Sequence, residues 1–168
     1  MSSSITGDRL QAPGYGILPP DEGSGLLDWS WAAERLSSSH TYWVATVRQD
    51  SRPHVMPVWG VWLDNVFYFS SGRRSRKIRN LATNAHCVVS IQDGTDCVIV
   101  EGEAKAKEVP IGPLHAAISS TYLAKYQTDL SELGEPIYAI HPKVAFGLQE
   151  SDFVGSATRW KFSQAKTR

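Results

Sequence analysis

From Thr41 onward, short apolar runs and alternating apolar and polar positions recur between turn signals. That pattern is the signature of an antiparallel β-rich domain. Thr41-Tyr42-Trp43-Val44-Ala45-Thr46-Val47 is β-branched and aromatic and predicts a strand. After a turn at Gln49–Pro53, His54–Leu63 predicts a second strand, with Pro57 marking an edge or a bulge in it. Asp64-Asn65 predicts a tight hairpin into Val66–Ser71. His86–Gln92, a turn at Asp93-Gly94, and the long run Asp96–Val109 follow, with Gly102 expected as a bulge. Ile137–Ile140 and Lys143–Leu148 flank His141-Pro142 and predict one interrupted strand, and Ala157–Phe162 predicts a last one.

Helical spacing is rarer. Leu26, Leu27, Trp31, Ala32 and Leu36 fit a short amphipathic helix that Asp28 would cap. Arg74–Thr83 predicts a second, with Ile78, Leu81 and Ala82 inward and Asn84 as terminator. Gly112-Pro113 opens a third, from Leu114 to about Tyr126. The order is not a regular βαβ alternation, which argues against a doubly wound sheet. Six or more antiparallel strands with two or three flanking helices imply a mainly β (α+β) barrel. Residues 1–25 are rich in Ser, Gly and Pro and predict a flexible or loosely packed arm ahead of a single domain over 26–168.

Bulk properties narrow the partners. The 168 residues suit one domain with a sizeable core. Seventeen basic and seventeen acidic side chains cancel, whereas a nucleic-acid binder would show a basic excess. No apolar run approaches the ~20 residues of a membrane span. The opening Met-Ser-Ser-Ser-Ile-Thr-Gly-Asp lacks the regions of a signal peptide, so a cytoplasmic protein is expected. Cys87 and Cys97 each lie in a β-like run; two free thiols are favoured over a disulfide. The five histidines have no metal-ligand spacing, and no metal is expected.

One cluster breaks the charge balance. Arg73-Arg74-Ser75-Arg76-Lys77-Ile78-Arg79 sets five cations beside a hydroxyl, where the Val66–Ser71 strand turns through Ser70-Ser71-Gly72 into a helix. Free N–H groups and the positive end of the helix dipole would face an anion there, with Arg and Lys neutralising it. The turn lacks Gly-x-Gly-x-x-Gly and Gly-Lys-Ser/Thr, so neither a dinucleotide fingerprint nor a P-loop is supported. A phosphorylated small molecule is the expected partner; the alternative is a solvated helix face.

Arg52-Pro53-His54-Val55-Met56-Pro57-Val58-Trp59, then Phe67-Tyr68-Phe69-Ser70, then Ser75-Arg76-Lys77 with Asn80-Leu81 and Asn84, resemble one family. They are similar to the pyridoxamine 5'-phosphate oxidase-like split β-barrels, and most of all to the branch of flavin and deazaflavin oxidoreductases using coenzyme F-420. Val100-Glu101-Gly102-Glu103-Ala104 and Thr158-Arg159-Trp160-Lys161-Phe162 extend the resemblance over roughly Thr41 to Phe162. It implies a six-stranded antiparallel split barrel and a homodimer with cofactor at the interface. It also implies roles for residues. Ser75, Arg76 and Lys77, with Arg74 beside them, would grip the cofactor phosphate. Ser70 and Ser71 would bond the ribityl-phosphate arm. The backbone of Met56, Pro57, Val58 and Trp59 would edge the ring system. Arg159 and Trp160 would close the substrate side.

Two departures weaken pyridoxamine phosphate oxidation as the reaction. The flavin-touching Gln of the oxidases is replaced by the region Asp96-Cys97, and their terminal Arg-x-His appears only as Arg159-Trp160-Lys161. Arg73 and Arg74 add charge that an acidic polyglutamyl tail would use, which favours the deazaflavin over FMN. The expected activity is hydride transfer between reduced F-420, or a flavin, and a small organic substrate. The cofactor would carry the chemistry, so no acid–base pair is needed; Tyr42, His54 and Arg159 are candidate proton donors, and the catalytic residues stay open. The alternatives are an FMN-binding reductase or oxidase of the same fold, and a non-catalytic carrier of a flavin- or haem-like ligand. For Trp43 and Trp62, packing is the simpler role.

Overall fold

The computed structural model describes residues 4–163; residues 1–3 of the expected arm and 164–168 of the expected domain lie outside them. Nine strands and five helices follow in chain order: β1 (Ile5–Arg9), α1 (Trp29–Ser38), β2 (Tyr42–Val47), β3 (Pro53–Val58), β4 (Gly60–Leu63), β5 (Val66–Ser70), α2 (Arg76–Thr83), β6 (His86–Ile91), β7 (Asp96–Glu108), α3 (Pro113–Tyr126), α4 (Leu130–Leu133), β8 (Ile137–Gln149), α5 (Phe153–Ser156) and β9 (Thr158–Phe162). All the strand pairings are antiparallel, and the main path runs β1-β9-β8-β7-β6-β2-β3.

The split lies at β8. Its first half pairs with β5, from Phe67↔Ile140 to Ser70↔Ile137, and its second half with β9, from Val144↔Lys161 to Gly147↔Thr158. β4 pairs only with β5. β1, β3 and β4 are therefore the edges of the sheet, and the chain crosses from β3 to β4 at Trp59. The expected strand His54–Leu63 is thus two strands. This is the split-barrel architecture expected, with more strands than six and a sheet that does not close.

β5 explains its own composition. Phe67 and Phe69 enter one apolar cluster with Tyr42, Val44, Val89, Val100 and Tyr138, while Tyr68 enters a second with Val61, Ile118, Tyr122 and Ile137 under α3. A strand covered on both faces loses its polar alternation. The Asp64-Asn65 turn has φ of 51° and 59°, a left-handed pair suited to a two-residue hairpin.

At His141-Pro142 the chain does not break. Pro142 sits opposite Gly102, where the β7–β8 register shifts between Glu101 and Gly102. The bulge receives the residue without an N–H, and Gly102 is needed there because a Cβ would lie 2.7 Å from the His141 carbonyl oxygen. Cys87 and Cys97 are free, as expected.

The residues 4–25 do not hang loose. β1 pairs with β9 from Ile5↔Phe162 to Arg9↔Thr158. Arg9 is 4% exposed. Its guanidinium donates to the carbonyls of Gly155 at 2.7 Å, Pro19 at 2.8 Å and Glu22 at 3.2 Å, tying the Pro- and Gly-rich stretch to α5. One buried cation with several neutral acceptors holds what composition alone reads as arm.

Candidate functional site

α2 is built to begin where it does. Ser75 is extended (φ −65°, ψ 153°) and its Oγ accepts from the Ile78 N–H at 3.4 Å, the N-cap arrangement. The helix starts two residues after Arg74, because Ser75 rather than an arginine can cap it. The N–H groups of Arg76 and Lys77 have no acceptor among the described residues, the normal state of a first helical turn.

β5 delivers the serines to this point. Ser71 is buried, its Oγ 3.0 Å from Ser75 Oγ, and Lys77 Nζ donates to it at 3.1 Å. Ser71, Ser75 and Lys77 thus converge. No carboxylate accompanies Lys77, and burial pulls its pKa below the ordinary lysine value. Ser70 turns away, its hydroxyl donating to the Glu135 carbonyl at 3.3 Å.

The arginines divide. Arg73 is bound to Glu108, with Nε–Oε1 2.6 Å and a second contact of 2.9 Å, so its charge is already used within the chain. Arg74 and Arg76 are exposed and have no ion pair among the described residues. Arg76 lines an open basin of about 350 Å³ with Arg48, Gln49, Asp50 and Arg52 of the β2–β3 hairpin. Asp50 is held by Arg52 at 2.7 Å. The Nε of Arg48 is buried with no hydrogen-bond partner. Free cations, an orphaned guanidinium N–H and an unmatched lysine are what a dianion would complete.

β3 is the edge strand beside the β2–β3 hairpin of this basin. Along β3 the register places His54 opposite Thr46, Met56 opposite Val44 and Val58 opposite Tyr42. Thr46, Val44 and Tyr42 are buried, so these β3 residues face the inner side of the sheet. Met56 is nevertheless 46% exposed and His54 half-buried, because α2 packs over β2 and leaves the edge strand open. Val58 is buried, Pro57 points to the other face, and Trp59 is 43% exposed at the crossing to β4.

Trp59 is held from below. Its ring stacks on Tyr126 at 4.9 Å and 7°. The Tyr126 hydroxyl accepts from Gly60 N at 3.0 Å and lies 2.8 Å from the Gly60 carbonyl. Lys125 Nζ donates to Tyr42 Oη at 2.6 Å and to the Ser37 carbonyl at 3.0 Å. With no acid beside it, burial lowers the Lys125 pKa to about 8, and burial raises Tyr126 to about 12. Tyr42, a candidate proton donor, is fully buried and donates to the Leu36 carbonyl; burial pushes its pKa up.

Arg159 and Trp160 lie elsewhere in the chain. β9 is separated from β3 by β8, β7, β6 and β2. Arg159 pairs with Asp8 at 3.1 Å, and Trp160 is 2% exposed, packed edge-on to Trp29 at 5.3 Å. The buried indole offers no side-chain surface to a substrate. Among the described residues, no group of His, Cys, Asp and Glu is arranged to hold a metal.

Sequence reasoning missed Arg48, Thr46 and Asn80. Asn80, 3% exposed, donates to Thr46 Oγ1 at 2.9 Å, and Thr46 Oγ1 lies 3.4 Å from His54 Nδ1. Arg48 stands at a hairpin tip, where only the register brings it beside α2.

A family model described as pyridoxamine 5'-phosphate oxidase matches residues 31–147. No curated protein matches the chain. Solved structures share its fold. One described as an F-420 reductase is 22% identical, with 67% of this chain and 93% of that chain covered and a TM-score of 0.55. A putative pyridoxamine 5'-phosphate oxidase from Listeria innocua is 16% identical, covering 71% and 96%, with a TM-score of 0.58. The haem storage protein HutZ from Vibrio cholerae is 17% identical, covering 67% and 87%, with a TM-score of 0.57.

Proposed function

This chain belongs to the pyridoxamine 5'-phosphate oxidase family, and on that premise we propose that it is a homodimeric oxidoreductase whose redox cofactor, reduced F-420 or a flavin, exchanges a hydride with a small organic substrate. The observation that carries the reading is the convergence of Ser71, Ser75 and Lys77 at the open N-terminus of α2, with Arg76 unpaired and the Arg48 Nε orphaned nearby. Such a set suits a phosphate: fixed N–H donors and cations, with the one carboxylate of the basin, Asp50, already paired with Arg52.

The protein's own contribution is position. Lys77, Arg76 and the hydroxyls of Ser71 and Ser75 would hold the phosphate. The open inner side of β3, past His54 and Met56 to Trp59, leaves room for a planar ring against backbone. Tyr126 and Lys125 keep Trp59 and Gly60 rigid at the far end. When bound, the cofactor supplies hydride chemistry; the chain supplies orientation and field.

Dimerisation is supported by the outer face of the sheet. Trp43 is 41% and Val55 54% exposed. In register Ala45 lies between Val55 and Val88, with Trp43 two residues along β2 on the same face, giving an apolar strip of the kind that marks interfaces.

FMN remains a second reading on one observation: Arg73 is bound to Glu108, which removes part of the charge that favoured an acidic cofactor tail. Titration with FMN and with F-420 separates the two, and a tenfold preference, about 1.4 kcal/mol, assigns the cofactor. The non-catalytic haem or flavin carrier predicts binding without turnover across a panel of acceptors. Failure of both FMN and F-420 to bind overturns the proposal.

A further inference from the structure

His54 is a histidine with a prepared orientation and no assigned task. It sits on the inner, open side of β3, and its Nδ1 lies 3.4 Å from Thr46 Oγ1. Thr46 is 2% exposed, and its hydroxyl oxygen accepts from the Asn80 amide at 2.9 Å. The Thr46 hydroxyl has two acceptors at 3.4 Å, the His54 carbonyl and Nδ1; when its proton turns to Nδ1, the ring carries its own proton on Nε2, away from β2.

The charges around it all have one sign. Arg48 from the β2–β3 hairpin, and Lys77 and Arg76 from α2, act on the ring, and with burial as the largest cause they hold its pKa below 6.5. Thr46 from β2 is neutral, and no acidic group contributes. Two of these cations, Arg48 and Arg76, line the open basin. Burial and these cations together disfavour the charged imidazole.

We propose that His54 is a further ligand of the phosphate site, donating from Nε2, and that it takes up a proton from solvent when a dianionic phosphate occupies the cradle. This rests on the phosphate reading of the site given above. The physical reason is the reversal of the local field. A dianion offsets the charge of Arg48, Arg76 and Lys77, and the imidazolium becomes a charge-assisted donor to it. Phosphate affinity then rises as the pH falls through the interval between the empty-site and bound-site values. Over that interval it rises by up to about tenfold per pH unit for a single linked proton. The cofactor is held more tightly in a mildly acid medium than in a mildly alkaline one.

Calorimetric titration of the full chain with FMN at pH 7, repeated in buffers of different ionisation enthalpy, counts the protons taken up. Inorganic sulfate, a dianion that does not titrate in this range, is the second probe and removes the ligand's own protonation. The expected result is net proton uptake by the wild type with both probes. In His54→Gln, uptake disappears and FMN affinity falls several-fold, while the fold is retained by circular dichroism. Equal uptake in wild type and His54→Gln, or none in the wild type, overturns the inference. The double variant Arg76→Ala/Lys77→Ala separates the two levels. If it binds both probes as well as the wild type, the phosphate site itself is misplaced; if it loses them while His54→Gln shows unchanged uptake, only the role of His54 falls.

Discussion

Lys77→Met is the perturbation that best separates a binding site from a structural brace. In the ligand-free protein, the ammonium is half-buried and has one neutral acceptor, Ser71 Oγ at 3.1 Å. Its pKa lies below the ordinary value through desolvation alone, so the charged form is a cost to the folded state. The sign follows from linkage: a cation whose folded pKa is depressed destabilises in full below that pKa, and the cost is lost progressively as pH rises from there to the unfolded value. Methionine keeps the aliphatic packing and removes the charge. Ligand-free Lys77→Met is therefore expected to melt at or above the wild-type temperature. Binding moves the other way. A charge-assisted hydrogen bond to phosphate contributes about 1.5–3 kcal/mol, so FMN or F-420 affinity should fall by about ten- to more than a hundredfold. Differential scanning fluorimetry without ligand and fluorescence titration with each cofactor read the two effects. A melting temperature several degrees lower with unchanged affinity would refute the reasoning and make Lys77 a brace for Ser71; for a domain of this size, ~1 kcal/mol corresponds to about 2–4 °C.

Burial lowers the folded pKa of Lys125 to about 8, from an ordinary lysine value of 10.5. The unfolded chain binds more protons between these values, so stability should rise as pH increases from about 8. That rise should be missing in Lys125→Met, with the comparison kept below pH 10, where unfolded tyrosines begin to ionise. Gly60→Ala should be strongly destabilising in urea melts, since the added Cβ would lie 2.4 Å from Phe67 Cζ and 2.6 Å from the Tyr68 carbonyl oxygen; the cost is about 1–3 kcal/mol or more, and wild-type stability would contradict the packing at the strand crossing. Val55→Asp puts a charge on the apolar strip and should shift a dimer to monomer in sedimentation velocity; a monomeric wild type would remove the basis for the interface.

The sequence foretold the elements whose cause is local. Asp28 caps α1, with its Oδ1 accepting from Ser30 N at 2.8 Å. Asp64-Asn65 turns β4 into β5 because its own backbone chemistry allows it, whereas the bulge expected at Gly102 carries its extra residue, Lys143, on the partner strand β8. The serine–arginine–lysine turn was legible for the same reason: cap, strand end and cations are neighbours in the chain. What escaped is set by partners far away. β1 has no strong alternation and exists because β9, some 150 residues on, offers an edge. Pro142 was read as an interruption because the glycine that accommodates it lies on another strand. Arg48, Thr46 and Asn80 reach the site only through strand register and helix docking, which no periodicity encodes. The opposite error arose at Trp160, where a motif position on β9 proved to be a core indole.

A crystal structure of the protein soaked with FMN tests the account where it is most exposed. Phosphate density bonded to Ser71, Ser75, Arg76 and Lys77 at the start of α2, with the ring extending along β3 toward Trp59, is the outcome the account requires. Phosphate bound elsewhere, with Lys77 still resting on Ser71 and the arginines turned to solvent, would contradict it.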